Sequence, residues 1–231
     1  MTKKCYNCEI PMRTLEKKQR TKEHIPAKAF FVGYPEEYKD QRKTVPACYS
    51  CNQKYAKIDD KLRDVIGILN DGELHKSELT RRAVSNILSN KQELNNRLTF
   101  GNNGAEISFD RIILDKLHKK NFKGIYHLAT NQPITSEYLL DVYSDGHDKK
   151  KLDLGFEFLT EIENMGQWEK SGNANVFEYK LTYYNFENEK LEKLDKSIIE
   201  PLFLVCAMKY NNTIVSLVVA TKPEIKDVIK T

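Results

Sequence analysis

At 231 residues, with 40% hydrophobic, 30% charged and 10% aromatic side chains, the chain has the composition of a folded globular protein and not of a disordered or fibrous one. Its longest apolar run, Leu202 to Met208, is too short to cross a bilayer, and Met1 to Cys8 lack the apolar core of a signal peptide, so a cytoplasmic, non-membrane protein is expected. The net charge of +4 is uneven: residues 1–63 carry 15 Lys and Arg against 8 Asp and Glu, and the remainder carries 22 against 25. A nucleic acid is the natural polyanionic partner for the basic segment, with a solvated lysine-rich surface as the alternative.

In chain order, the first signal is Cys5-Tyr6-Asn7-Cys8, matched by Cys48-Tyr49-Ser50-Cys51. In a reducing compartment such pairs are better read as metal ligands than as disulfides. A two-residue spacer lets one turn aim both sulfurs at one ion, and a distant second pair completes the tetrahedron. Four thiolates leave a zinc ion no open position, so Cys5, Cys8, Cys48 and Cys51 predict structural Zn2+. Between the pairs lies Thr21-Lys22-Glu23-His24-Ile25-Pro26-Ala27-Lys28, and Asn52 follows the last cysteine.

A helix beginning near Cys51 is predicted through Leu69, where Leu62, Val65, Ile66 and Leu69 recur at i, i+3, i+4 and i+7. Asn70-Asp71-Gly72 ends it. A second helix, about Ser77 to Ser89, sets Leu79, Ala83, Val84, Ile87 and Leu88 on one stripe, and a third covers Gln92 to Leu98. After the loop at Gly101-Asn102-Asn103-Gly104, Asp110 can cap a helix to about Leu128 with Ile113, Leu114, Leu117 and Ile125 inward. The pattern then turns to strands. Val176 to Tyr184 alternates strictly, and Leu202 to Tyr210 and Thr213 to Ala220 read as a hairpin with a two-residue Asn211-Asn212 turn, central in an antiparallel sheet. His75, His118, His127 and His147 have no ligand-spaced partners, and Cys206 sits in an apolar strand as a packing cysteine.

Glu23-His24-Ile25-Pro26 followed by Cys48-Tyr49-Ser50-Cys51-Asn52 resembles the HNH endonuclease family over about residues 1–65. A weaker likeness to longer bacterial HNH proteins continues through residues 122–127 and 173–179. The resemblance implies a ββα-metal fold: a strand with an acidic residue and His, a second strand, then a helix with Asn and further ligands. Together with the helical and strand patterns above, this predicts an α+β chain, with a zinc-bound HNH module over residues 1–70 and, over 71–231, a helical connector and a C-terminal α+β domain with an antiparallel sheet. The implied activity is metal-dependent hydrolysis of double-stranded DNA, with defence against foreign DNA as a role.

Phosphodiester hydrolysis needs a base, a cation and a rigid frame. His24, with a pKa near neutrality, suits the base. By resemblance, Glu23 ligates the catalytic ion and Asn52 fixes the segment that orients His24. On a regular strand, however, Glu23 and His24 face opposite ways. The family's further metal-binding histidine is missing here, and Asp60, or less directly Asp59, is the expected replacement ligand for Mg2+ or Mn2+, with a solvated acidic turn as the alternative. Lys22 and Lys28 are candidate phosphate contacts, with solvent as the equal alternative. Two rival readings remain open: a non-catalytic zinc module that binds nucleic acid, and an RNA-cutting toxin. The C-terminal region is expected to serve as a sensor, a partner surface or a homodimer interface.

Overall fold

Two strands and a long helix make the N-terminal unit. Strands β1 (Arg20–Ile25) and β2 (Lys43–Cys48) pair antiparallel in an unbroken register that sets Thr21 opposite Ala47, Glu23 opposite Val45 and His24 opposite Thr44. A short helix α1 (Glu36–Lys39) lies between them, and α2 (Tyr49–Leu69) starts directly at the end of β2. The computed structural model describes residues 3–69, 78–89, 98–101, 104–107, 111–144, 151, 153, 155–157, 159–160, 167–184, 203–212 and 214–223. The predicted turn at 70–72, most of the third helix at 92–98, the Asp110 cap, His75 and His147 lie outside the described residues.

Helix α2 buries Leu62, Val65 and Ile66, the positions its periodicity marks. Helix α3 (Glu78–Ser89) packs on it through Leu79 and Ala83, closely enough that a Cβ on Gly67 would lie 2.9 Å from the Ala83 Cβ. Val84 and Leu88, predicted to share that stripe, are exposed instead, because the contact with α2 is narrower than the apolar face. Strands β3 (Leu98–Gly101) and β4 (Gly104–Ile107) pair with each other, so Leu98 begins a strand where a helix end was expected.

Helix α4 (Arg111–Thr130) is the central element. Leu117, His118, Lys120, Asn121, Phe122, Gly124, Ile125, Tyr126 and His127 are all buried, so it is enclosed on more than one side. Gly124 faces β1, where any Cβ would overlap the Ile25 side chain; glycine is what lets helix and strand approach. The far side of α4 meets a five-stranded antiparallel sheet of order β5-β9-β8-β7-β6, comprising β5 (Leu139–Ser144), β6 (Glu169–Lys170), β7 (Phe177–Tyr184), β8 (Phe203–Tyr210) and β9 (Ile214–Thr221). The hairpin β8–β9 is central, as its apolar character predicts. Its turn differs from the expected one: Tyr210 pairs with Ile214, leaving three residues between them, with Asn211 and Asn212 at φ of 49° and 54°.

One hydrophobic core runs from Phe30, Val45 and Ile66 in the N-terminal unit to Tyr210 and Val218 in the sheet. Polar contacts add to it. The Lys43 ammonium donates to Glu169 Oε2 and to the Tyr179 hydroxyl, both at 2.6 Å, and the Asn211 amide donates to the Tyr34 hydroxyl at 2.9 Å. Gly172, at φ +76°, donates its N–H to the Gln41 carbonyl, where a side chain would meet Phe31. The sheet's other face has its own cluster of Phe203, Val205, Ala207, Leu217 and Val219, against which Tyr143 and Trp168 pack. No described helix is long and apolar enough to cross a membrane.

Candidate functional site

The two cysteine pairs meet where the N-terminal turn, the end of β2 and the start of α2 converge. All four Sγ atoms lie within 4.8 Å of one another, with Cys5, Cys48 and Cys51 buried and Cys8 exposed. Cys8 Sγ stands 3.7 Å from Cys48 Sγ. Zinc–thiolate bonds of about 2.3 Å in a tetrahedron set neighbouring sulfurs roughly 3.8 Å apart, so this donor set is spaced to close on a zinc ion with only small side-chain shifts. The surrounding donors suit thiolates as well. The backbone N–H of Cys48 donates to Cys5 Sγ, that of Cys51 to Cys48 Sγ, and the Asn7 amide to Cys51 Sγ, each at 3.4 Å. Lys123 of α4 donates to Asn7 Oδ1 at 3.3 Å and so ties the cluster to the central helix. Among the described residues this is the one group of three or more Cys, His, Asp or Glu whose donor atoms converge as a metal site would need.

Strand β1 carries the remaining predicted residues and divides them between its two faces. Inward lie Thr21, Glu23 and Ile25; outward lie Arg20, Lys22 and His24. From below, the Asn52 side-chain amide in the first turn of α2 donates to Thr21 Oγ1 and to the Lys22 carbonyl, both at 3.2 Å, and Thr21 Oγ1 donates to the Ala47 carbonyl at 2.8 Å. Asn52 therefore pins the strand two residues before His24 without touching the imidazole. Truncation by Asn52→Ala removes both bonds and should cost about 1–2 kcal/mol of stability. Denaturant unfolding measures that loss, and the zinc content should be unchanged.

His24 is partly buried. Its Nδ1 is enclosed with no hydrogen-bond partner, which leaves Nε2 as the nitrogen that solvent reaches. Burial, reinforced by the positive charges of Lys28, Arg42 and Lys22, pulls its pKa down to about 4. The imidazole is thus neutral at physiological pH and can accept a proton.

Glu23 points the other way, into the interior. There the ammonium of Lys120, with no exposed surface, sits 3.0 Å from Glu23 Oε1 and 2.8 and 2.7 Å from the two oxygens of Asp59. Burial pushes the Asp59 carboxyl up to about 6, with Lys120 opposing the shift. Glu23 Oε2 and the hydroxyl of the buried Tyr6 have no partners beside this triad. Asp60, the expected ligand, is exposed and accepts from Arg63 Nη1 at 2.6 Å; Arg63 also holds Asp64. The structure thus brings Glu23 and Asp59 together, but around a lysine, and it brings neither them nor Asp60 to His24. These residues do not fit a divalent ion as arranged, since an ion between Glu23 and Asp59 would have to expel a buried ammonium.

Lys120 is the residue that sequence reasoning missed. Its one local signal is its place on the helix, seven residues after Ile113 and three after Leu117, nearer the inward stripe than the other lysines of α4, but its partners lie 61 or more residues earlier. Comparison of the chain with protein-family models, with curated proteins and with solved structures finds no match.

Proposed function

We propose that the chain is a zinc-stabilised endonuclease of the HNH type, in which His24 acts as the general base on a phosphodiester. The observation that supports this reading most is the position of His24: neutral, open at Nε2, on the outward face of a strand pinned by Asn52 and surrounded by Lys22, Lys28 and Arg42. In the reaction His24 takes a proton from water and the oxygen attacks phosphorus. The bond to the leaving oxygen breaks, and that oxygen is protonated from solvent. Lys22, Lys28 and Arg42 offset the charge that develops on the phosphate. The four cysteines take no part in bond cleavage. No step is routed through a second ion, because the acidic residues proposed to hold Mg2+ or Mn2+ face Lys120 and Arg63.

Parallel digestion of plasmid DNA and structured RNA in magnesium, manganese and EDTA tests the reading and separates a DNA-cutting defence nuclease from an RNA-cutting toxin. The pH profile adds a quantitative check. With the base depressed to about 4, kcat/KM should stay flat from pH 7.5 to 5.5 and fall only as the pH approaches 4. A limb at about 6.5, the ordinary histidine value, would mean that another group limits the rate. The Glu23–Lys120–Asp59 triad favours a second reading, a non-catalytic zinc module that binds nucleic acid; absence of cleavage on every substrate, with binding intact, would select it.

A further inference from the structure

An open cavity of about 860 Å³ adjoins the outward face of β1, a volume in the range of small-molecule and nucleotide sites. Four cations line one side: Lys3, Arg13, Arg20 and Lys22. Among the described residues no Asp or Glu lines it, and none of the four cations forms an ion pair. Arg20 is fixed in place nonetheless. Its Nε and Nη2 donate to the Leu15 carbonyl at 2.9 and 2.7 Å, and Nη2 also reaches the Arg13 carbonyl at 3.1 Å, so its charge is positioned without being neutralised. The lining also includes His127 near the C-terminal end of α4 and Asn131 and Gln132 just past it, which offer neutral donors and acceptors. Thr44, the cross-strand partner of His24, also lines the cavity, so its lining reaches the residue paired with the histidine.

A concave surface with four cations and no carboxylate concentrates a polyanion, and its neutral polar wall suits the sugar or base edge of a nucleotide. We infer that this cavity is the binding site for a polynucleotide strand, with phosphates on Lys3, Arg13 and Lys22 and the strand running along β1 toward His24. The inference rests on the nuclease reading for its direction but not for its test, which measures binding alone. Free nucleoside phosphates share the anionic chemistry. A continuous strand fits better, because the cations come from three separate segments, Lys3, Arg13 and the Arg20–Lys22 start of β1, and not from one phosphate-binding loop.

The test compares the full-length wild-type chain with Lys3→Ala/Arg13→Ala/Lys22→Ala and with a control, Lys57→Ala/Lys116→Ala. All five residues are exposed, and the control pair lies outside the cavity lining. Binding of a fluorescent 20-mer, as DNA duplex or single-stranded RNA, is followed against salt by anisotropy, with ATP as a separate arm. Zinc content and thermal midpoint verify folding. The expected result is that the triple variant flattens the slope of log K against log salt by about 2–3 and weakens binding about 10- to 100-fold at low salt, while the control pair matches wild type. Equal slopes for wild type and triple variant would overturn the cavity and leave the nuclease reading standing. ATP binding without oligonucleotide binding would overturn the assignment to a strand, and binding of neither would overturn both. Intact, cavity-dependent binding without cleavage would instead reject the nuclease reading and keep this site.

Discussion

Replacing Cys48 with serine should abolish stoichiometric zinc binding and unfold the N-terminal unit. A two-stranded hairpin is marginal by itself, and here the turn that carries Cys5 and Cys8 is held to β2 and α2 by the thiolate cluster, with one backbone bond from Tyr6 N–H to the Pro46 carbonyl beside it. Structural zinc in small modules contributes about 10–16 kcal/mol at neutral pH, so losing one ligand should cost on the order of 5 kcal/mol. Metal analysis should give one zinc per wild-type chain, far less for Cys48→Ser, and one for Cys206→Ala, because Cys206 is buried in β8 away from the cluster. Equal zinc in Cys48→Ser and wild type would remove the cluster from the account.

Lys120→Met should be nearly as damaging for the opposite reason. The substitution preserves volume but leaves Glu23 and Asp59 buried together without a cation, and breaking a buried ion pair in this way costs about 3–5 kcal/mol. Adding Glu23→Gln and Asp59→Asn removes the orphaned charges, so the triple variant should regain most of the loss in urea unfolding. Linkage adds a pH signature. The Asp59 carboxyl has a folded value, about 6, above its ordinary 3.8, so its ionisation opposes folding; in the wild type this contribution lowers stability as pH rises from about 4 to 6 and is constant above. The same experiment probes the acidic residues as ion ligands. Magnesium should leave the wild-type unfolding midpoint unmoved, whereas a magnesium-dependent rise that Glu23→Gln abolishes would reinstate Glu23 as a ligand.

What the sequence reveals here follows the range of the interactions. The cysteine spacing identified the cluster because four ligands in two short pairs are a local signature joined by one long closure. Helix α2 and the strand from 177 were legible because each has a periodic apolar face, and the strand from 203 because burial on both faces leaves a continuous apolar run. That Glu23 and His24 face opposite ways likewise follows from strand alternation, which does not say which of the two is turned inward. Three features were not legible. The partnership of Lys120 with Glu23 and Asp59 is long-range, and a lysine carries no mark of burial. The exposed Val84 and Leu88 keep a helical period without a surface to meet it. Strand β5, an edge strand with Leu139 exposed and Val142 buried, alternates too weakly to be marked in the sequence. The basic cavity was not legible either, since its cations are scattered over residues 3–22 and the rest of its lining includes residues from the end of α4.

In the proposed reading the zinc cluster shapes the hairpin and His24, on its outward face, performs the chemistry. The most direct test is the cleavage rate of His24→Ala beside wild type on one nucleic-acid substrate, with zinc content and unfolding midpoint measured on the same preparations. The expected result is equal zinc, a similar midpoint and a rate at least about 100-fold lower, the usual scale for losing a general base. Equal rates at equal zinc content would contradict it.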